Sequence, residues 1–529
     1  MGRCKQLVTF SVGVVCVFGF AVASIGCGRD EHGNTPDAGP HADAQPDAPP
    51  DTGPDSPPTD VTPPPAVEVV CEVLPASQNT CDVAAGSGTS LITLLKGTVL
   101  TPSKVYKGGQ VAIDVTGQIS CVGCDCAVGG ETTITCPDAV ISPGLINPHD
   151  HITFDQNPPY TPTSQRYEDR QQWRNGLDMR PSIPSPGGAT VDQISWAELR
   201  SVMAGATSIV GSGGRVGLAR NLDVASSEEG LGKKEVEFQT FPLDDSGNGD
   251  QRHAGNCNYG PSPDTAAKAS VAAADAYEPH TSEGIDVTAH NEFLCESSTM
   301  YDIMTPGVSN NLLLGKTAMI HAIALKPDDY KAMAAAGTAM IWSPRSNITL
   351  YGDTARVVTA ARLGVEIALG TDWLPTGSMN VLRELACADS FNATYLNHYF
   401  SDQQLWEMVT SHAASVTATD DLLGVLARGK VADIAIFAAH GKAPFRAVID
   451  AQPQDVALVM RGGKVLYGDD AVVGALAPSC DAVDVCGTGK RVCTLGEVGK
   501  SYTDLKAAAG ATIYPAFACG MPMNEPSCT

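Results

Sequence analysis

The segment Ile141-Ser142-Pro143-Gly144-Leu145-Ile146-Asn147-Pro148-His149-Asp150-His151 ends an apolar run with two histidines one residue apart. Alternate side chains of an extended strand share a face, so His149 and His151 point one way and Asp150 the other. Two imidazoles converging at a strand end suit a divalent metal. Such a pair is weak by itself, because a stable site needs further ligands from distant parts of the chain.

The elements that would position those ligands show in the patterning. Leu91–Leu100 and Gln110–Val115 read as short strands, and a second strand-rich block returns at Ala432–Phe437, Val456–Met460 and Lys464–Tyr467. Between them helices alternate with apolar strands, as in the expected helix Asp353–Gly364 followed by Val365–Gly370. That alternation argues for a parallel barrel or sheet covered by helices. In a barrel, active sites lie at the C-terminal strand ends.

Further phrases recur in order: Leu199–Ser208, His280-Thr281-Ser282-Glu283-Gly284, Ile320-His321-Ala322, Ser343-Pro344-Arg345-Ser346-Asn347, Leu369-Gly370-Thr371-Asp372 and Gly424–Asp433. With the HxH segment they make residues 90–470 resemble the amidohydrolase superfamily, most closely its mononuclear branch of cytosine-, guanine- and adenosine-type deaminases and chlorohydrolases. The resemblance implies an α/β fold: a (β/α)8 TIM-like barrel over 146–415, with a small β-sandwich domain built from 67–145 and 416–470. It implies that His149, His151, His280 and Asp372 bind one divalent metal, Zn favoured over Fe. Asp372 would also take a proton from the activated water, Glu283 would shuttle a proton to the substrate, and His321 would orient the water and stabilise the oxyanion. His290 competes with His280 for the ligand position, but only His280 has a glutamate three residues on. The expected fourth strand, Val236–Leu243, contains no Lys, which argues against a second metal bridged by a carboxylated lysine. Arg345, Trp373, Trp342 and Trp173 are expected to meet substrate, Arg345 through an anionic group, with Arg166 and Arg174 as further lining candidates. His253, His398 and His412 match no position of the family.

A formal net charge of -25 disfavours nucleic acid as a partner, since phosphate binding needs a basic face. Arg3, Lys5 and the apolar run Leu7–Ile25 read as a secretory signal over 1–27, and Ala23-Ser24-Ile25-Gly26-Cys27 resembles a bacterial lipoprotein site with Cys27 lipidated. The expected location is therefore the periplasm or cell envelope, on a membrane through a lipid anchor. Residues 28–66 read as a Pro/Asp-rich disordered linker, and 471–529 as a cysteine-rich extension. Of 17 cysteines, 14 remain after Cys4, Cys16 and Cys27, an even number that fits disulfides in an oxidising compartment. Zinc is the alternative for Cys121, Cys124 and Cys126. Three functions follow. The first is deamination of a nitrogen heterocycle, a small-molecule substrate. The second is hydrolysis of a cyclic amide, small amide or carbon–halogen bond by the same site. The third is a non-catalytic exported binding protein.

Overall fold

The computed structural model describes residues 64–86, 90–161, 165–259, 269–304 and 309–528. The expected signal, Cys27 and nearly all of the expected linker lie outside the described residues. Eight short parallel strands occupy the middle of the chain: β1 (Leu145–Asn147), β2 (Ala206–Ile209), β3 (Arg220–Asn221), β4 (Glu237–Gln239), β5 (Tyr277–Thr281), β6 (Ala318–His321), β7 (Ala339–Trp342) and β8 (Ile367–Leu369). The first three form one parallel sheet and the other five a second, each in sequence order. Backbone bonds join the two sheets. Val236 N donates to Leu222 O at 2.9 Å, and Asp372 N donates to His149 O at 3.0 Å.

The period of two decides what each strand buries. Ala318, Ile320, Ile341 and Ala368 cluster with Ile146 on one side. Their neighbours Met319, Met340, Trp342 and Leu369 belong to the large core on the other. Helices α1 (Arg170–Asn175), α2 (Val191–Met203), α3 (Val287–Ser297), α4 (Pro327–Ala336), α5 (Pro344–Tyr351), α6 (Val357–Arg362) and α7 (Val381–Tyr395) fall between or after these strands. Thr190 caps α2 in a reciprocal box with Gln193. Helix α5 starts on Pro344, whose missing N–H costs nothing at that position, and ends on left-handed Gly352. The single expected helix Asp353–Gly364 is shorter, Val357–Arg362, while the Ser343-Pro344-Arg345-Ser346-Asn347 phrase opens a helix of its own. The N-cap of Val357–Arg362 is Arg356, whose Nη1 donates to Asp353 Oδ1 at 2.7 Å.

Both flanks of the chain meet in one sheet of eleven strands. Thr132–Pro143 pairs parallel with Thr93–Leu100 and antiparallel with Ile434–Ala438, in the register Ile141 to Ile436 and Pro143 to Ile434. Gly144 then leads from this sheet into β1, so the sheet sets the start of the strand that runs into His149 and His151. The tail joins as well: Asp481–Val485 and Thr488–Val492 extend the same sheet beyond Lys464–Asp469. All fourteen cysteines counted above are paired: Cys71–Cys124, Cys81–Cys136, Cys121–Cys126, Cys257–Cys295, Cys387–Cys528, Cys480–Cys493 and Cys486–Cys519. The zinc alternative for Cys121, Cys124 and Cys126 is thereby corrected, because each of the three thiols is spent in a disulfide.

Candidate metal centre

His149 and His151 follow β1, His280 ends β5 and Asp372 follows β8. The His280 Nε2 lies 3.2 Å from His149 Nε2 and 3.1 Å from His151 Nε2. Asp372 Oδ1 lies 3.5 Å from Nε2 of both His149 and His151. Asp150 points the other way, as expected, and stitches β1 to β8 by accepting from Asn147 Nδ2 at 3.0 Å and from Thr371 Oγ1 at 3.3 Å. Backbone approach here is tight: a Cβ on Gly370 would stand 2.5 Å from His149 Cβ, so only glycine lets β8 come so close.

Two overlapping trios offer donor atoms within 4.8 Å of one another, His149 with His151 and Asp372 and His149 with His280 and His321, and such donors suit a metal. Zn–N bonds of ~2.0–2.1 Å in a tetrahedron place ligand atoms ~3.3 Å apart, close to the spacings seen. The tautomer is also right. His280 Nδ1–H donates to Gln239 O at 3.0 Å, which leaves the Nε2 lone pair facing the site. Burial holds the imidazoles of His149 and His280 well below their usual range, and that of His151 at about 3. All three are therefore neutral at pH 7, the form that binds a metal. Burial, and next the nearby Glu283, push the Asp372 carboxyl well up, a cost that a cation beside it would remove.

A second ring of side chains comes from one helix. Ser343 Oγ meets His149 Nδ1 at 2.8 Å, and Ser346 Oγ donates to Asp372 Oδ2 at 2.5 Å. Asn347 Oδ1 accepts from His321 Nδ1 at 2.9 Å, and Tyr351 OH donates to Glu283 Oε1 at 2.7 Å. Positions 343, 346, 347 and 351 follow the three-and-four spacing of a helical face. Sequence reasoning noticed the Ser343–Asn347 phrase but not this face, and it missed Tyr351. The spacing was the available signal. Glu283 Oε2 stands 3.8 Å from His321 Nε2. His321 is pulled down by burial and lifted by Glu283. Ser282, His321 and Asp372 all have positive φ (57°, 69° and 58°), strain concentrated where the strands hand over to the site.

The cluster opens into a cavity of about 930 Å³ whose lining includes His151, His280, Glu283, His321 and Asp372. Five aromatic side chains stand on its wall, Phe154, Trp173, Phe238, Phe241 and Trp373, beside the carboxylates of Asp223, Glu235, Glu237 and Asp244. Trp173 and Trp373 lie with ring centroids 5.2 Å apart, and Trp173 Nε1 donates to Tyr351 OH at 2.8 Å. The two basic side chains on the wall are engaged by protein. Arg170 is buried against Asp245 and Glu292, and Arg174 donates to the Asp245 and Ser246 carbonyls.

Two expected substrate contacts are corrected. Arg345 is buried away from the cavity and donates to Ser378 Oγ and to Pro526 O, because its place on α5 turns it from the face that carries Ser346. Trp342 is also fully buried. It points outward from β7, donates to Thr354 Oγ1 at 2.8 Å and packs on Phe391. Arg166 is not among the lining residues either and lies against Gly352. His290 is no ligand, since its Nε2 is paired with Asp329 at 2.8 Å. His253 rests edge-on against Tyr259, and His412 Nδ1 bonds Ile367 O.

Residues 271–466 match the model of the amidohydrolase family. A 5-methylthioadenosine/S-adenosylhomocysteine deaminase of Desulforudis audaxviator is 27% identical over 218 residues, 36% of this chain and 50% of that protein. An aminodeoxyfutalosine deaminase of Deinococcus radiodurans is 37% identical over 78 residues, 15% of this chain and 19% of that protein. The chain spans half or less of the length of the curated relatives it matches. Among solved structures, an adenosine deaminase from Xanthomonas campestris with bound zinc is similar in fold. Its TM-score is 0.52 at 14% identity, covering 79% of this chain and 96% of that one. A triazine hydrolase from Arthrobacter aurescens gives a TM-score of 0.53 at 19% identity, covering 71% and 94%.

Proposed function

Starting from a chain that belongs to the amidohydrolase superfamily, we propose a metal-dependent hydrolase of non-peptide carbon–nitrogen bonds that deaminates a nitrogen heterocycle. The observation that carries this reading is the convergence of three neutral imidazoles and Asp372 at one cavity end, with Glu283 beside them. His149, His151, His280 and Asp372 would hold one divalent ion, with zinc favoured by the donor set. Bound there, the ion supplies Lewis-acid activation of water near neutral pH. Asp372 takes a proton from the attacking water. Glu283, oriented by Tyr351, delivers a proton to the ring nitrogen, and His321, its Nδ1–H held by Asn347 Oδ1, turns the Nε2 lone pair to the attacking water and orients it.

The aromatic walls suit a flat ring, and the engaged Arg170 and Arg174 favour a substrate without a strong negative charge. For the finer architecture we read the eight parallel strands as a (β/α)8 barrel and the eleven-stranded sheet as the β-sandwich beside it. Export with a lipid anchor at Cys27 belongs to the same proposal, and seven disulfides support an oxidising compartment. The test is metal analysis followed by an ammonia-release screen over amino-substituted heterocycles, with a cyclic-amide panel beside it. Ammonia release that Glu283→Gln abolishes, with the metal retained, supports the mechanism. Turnover of a cyclic amide with no ammonia from any amine overturns the deaminase reading, and absence of stoichiometric metal overturns the site.

A further inference from the structure

Helix α5 has two working faces. The inner one holds His149, Asp372, His321 and Glu283 through Ser343, Ser346, Asn347 and Tyr351, as described above. The outer one is anchored by Arg345. Its backbone N–H donates to Glu384 Oε1 at 3.0 Å, and its Nε donates to Ser378 Oγ at 2.5 Å. The remaining partners come from the last residues of the chain, 180 positions on. Arg345 Nη1 donates to Pro526 O and lies 3.3 Å from Glu525 Oε2. Glu525 is shared with Arg383 of α7, whose Nε donates to Glu525 Oε1 at 3.0 Å. Cys528 is tied to α7 through the disulfide with Cys387.

The same tail reaches the loop that carries Asp372. Tyr514 packs with Leu374 and Met379 in a small cluster of its own, and its OH donates to Met523 O at 2.8 Å. It is also seated from below, where Trp196 Nε1 of α2 donates to Tyr514 O at 2.8 Å. Residues 510–528 thus touch α2, α5, α7 and the β8 loop, of which α5 and the β8 loop bear on the candidate metal ligands. None of these tail residues falls within the family match at 271–466.

We propose that the cysteine-rich tail is a clasp that positions the metal ligands. Its contacts to Arg345 set the placement of α5, and α5 sets His149 and Asp372 through Ser343 and Ser346. Arg345 and Glu525 are positioning residues in this scheme and touch no reacting atom. The inference rests on the metal-site reading above, though not on the identity of the substrate. Removing groups that orient metal ligands weakens metal affinity by ~10–100-fold, and loosening α5 acts on two ligands together.

The test measures zinc alone, by competition with a chromophoric chelator. It compares the full chain with a chain ending at Gly520 that also carries Cys387→Ser, and with Glu525→Gln. Thermal melts run on each. The expected result is zinc binding weakened about 10-fold in the shortened chain, which still melts cooperatively. Ser346→Ala should weaken zinc as well, and its loss should be less than additive with that of the shortened chain, because both act through α5. Zinc bound equally by the full and shortened chains, or fully additive losses, overturns the clasp alone. A full chain that binds no zinc overturns the metal site and the clasp together. If the shortened chain does not melt cooperatively, Glu525→Gln decides: weaker zinc supports the clasp and unchanged affinity overturns it.

Discussion

Replacing Tyr351 by Phe deletes one oxygen from the site and keeps its ring volume. That oxygen donates to Glu283 Oε1 at 2.7 Å and accepts from Trp173 Nε1 at 2.8 Å. Tyr351 is buried, and burial holds its phenol well above the usual range, so it is a dependable donor at every working pH. A hydrogen bond to a charged partner contributes about 1.5–3 kcal/mol. At 1.36 kcal/mol per factor of ten, loss of that amount in the transition state slows turnover about 10- to 160-fold. The assay is steady-state ammonia release from the best amino-heterocycle, beside zinc analysis of the same sample. The fall should appear in kcat, with zinc content unchanged, because Tyr351 touches no ligand. A Tyr351→Phe enzyme within twofold of the parent kcat would refute the idea that this hydroxyl aims Glu283. Loss of zinc would place Tyr351 in the ligand support instead.

Three further outcomes follow from the same geometry. Gly370→Ala forces a Cβ to 2.5 Å from His149 Cβ, so zinc affinity and melting temperature should both fall; a variant that loads zinc normally contradicts the packing described. Chelation should lower the melting temperature and added zinc should restore it, because a ligand at 1,000 times its Kd stabilises by ~4 kcal/mol. An identical melt with and without chelator argues against a resident ion. Burial raises the Glu198 carboxyl from 4.5 to about 8. Between those values the folded protein keeps a proton that the unfolded chain has released, so this residue costs stability as pH rises through that window. Glu198→Gln removes the cost, and its gain in melting temperature over the parent should grow from pH 5 to pH 9. A pH-independent offset refutes the assignment.

Much of the site could be read along the chain because strand ends carry their chemistry in local patterns. The two-residue period put His149 and His151 together and Asp150 opposite, and the hydrogen bonds of Asp150 agree. His280, His321, Asp372 and Glu283, expected from resemblance, do converge. The alternation of helices with apolar strands was enough for an α/β parallel core, and an even cysteine count was enough to expect full pairing. What spacing could not tell was the direction of side chains on a helix whose start was not recognised. Arg345 and Trp342 sit beside site residues in sequence yet face outward, one toward the tail and one toward Phe391. Tyr351 looked unremarkable until the turn of α5 carried it back onto Glu283. The tail is the clearest case. Its partners on α2, α5, α7 and the β8 loop stand 135 to 318 residues away, and contacts across that separation leave no local periodicity. Residue types and short-range patterns were enough to pick out the candidate ligands and the strands that deliver them. The helix face that aims them, and what holds that helix in place, depend on contacts made only once the chain has folded.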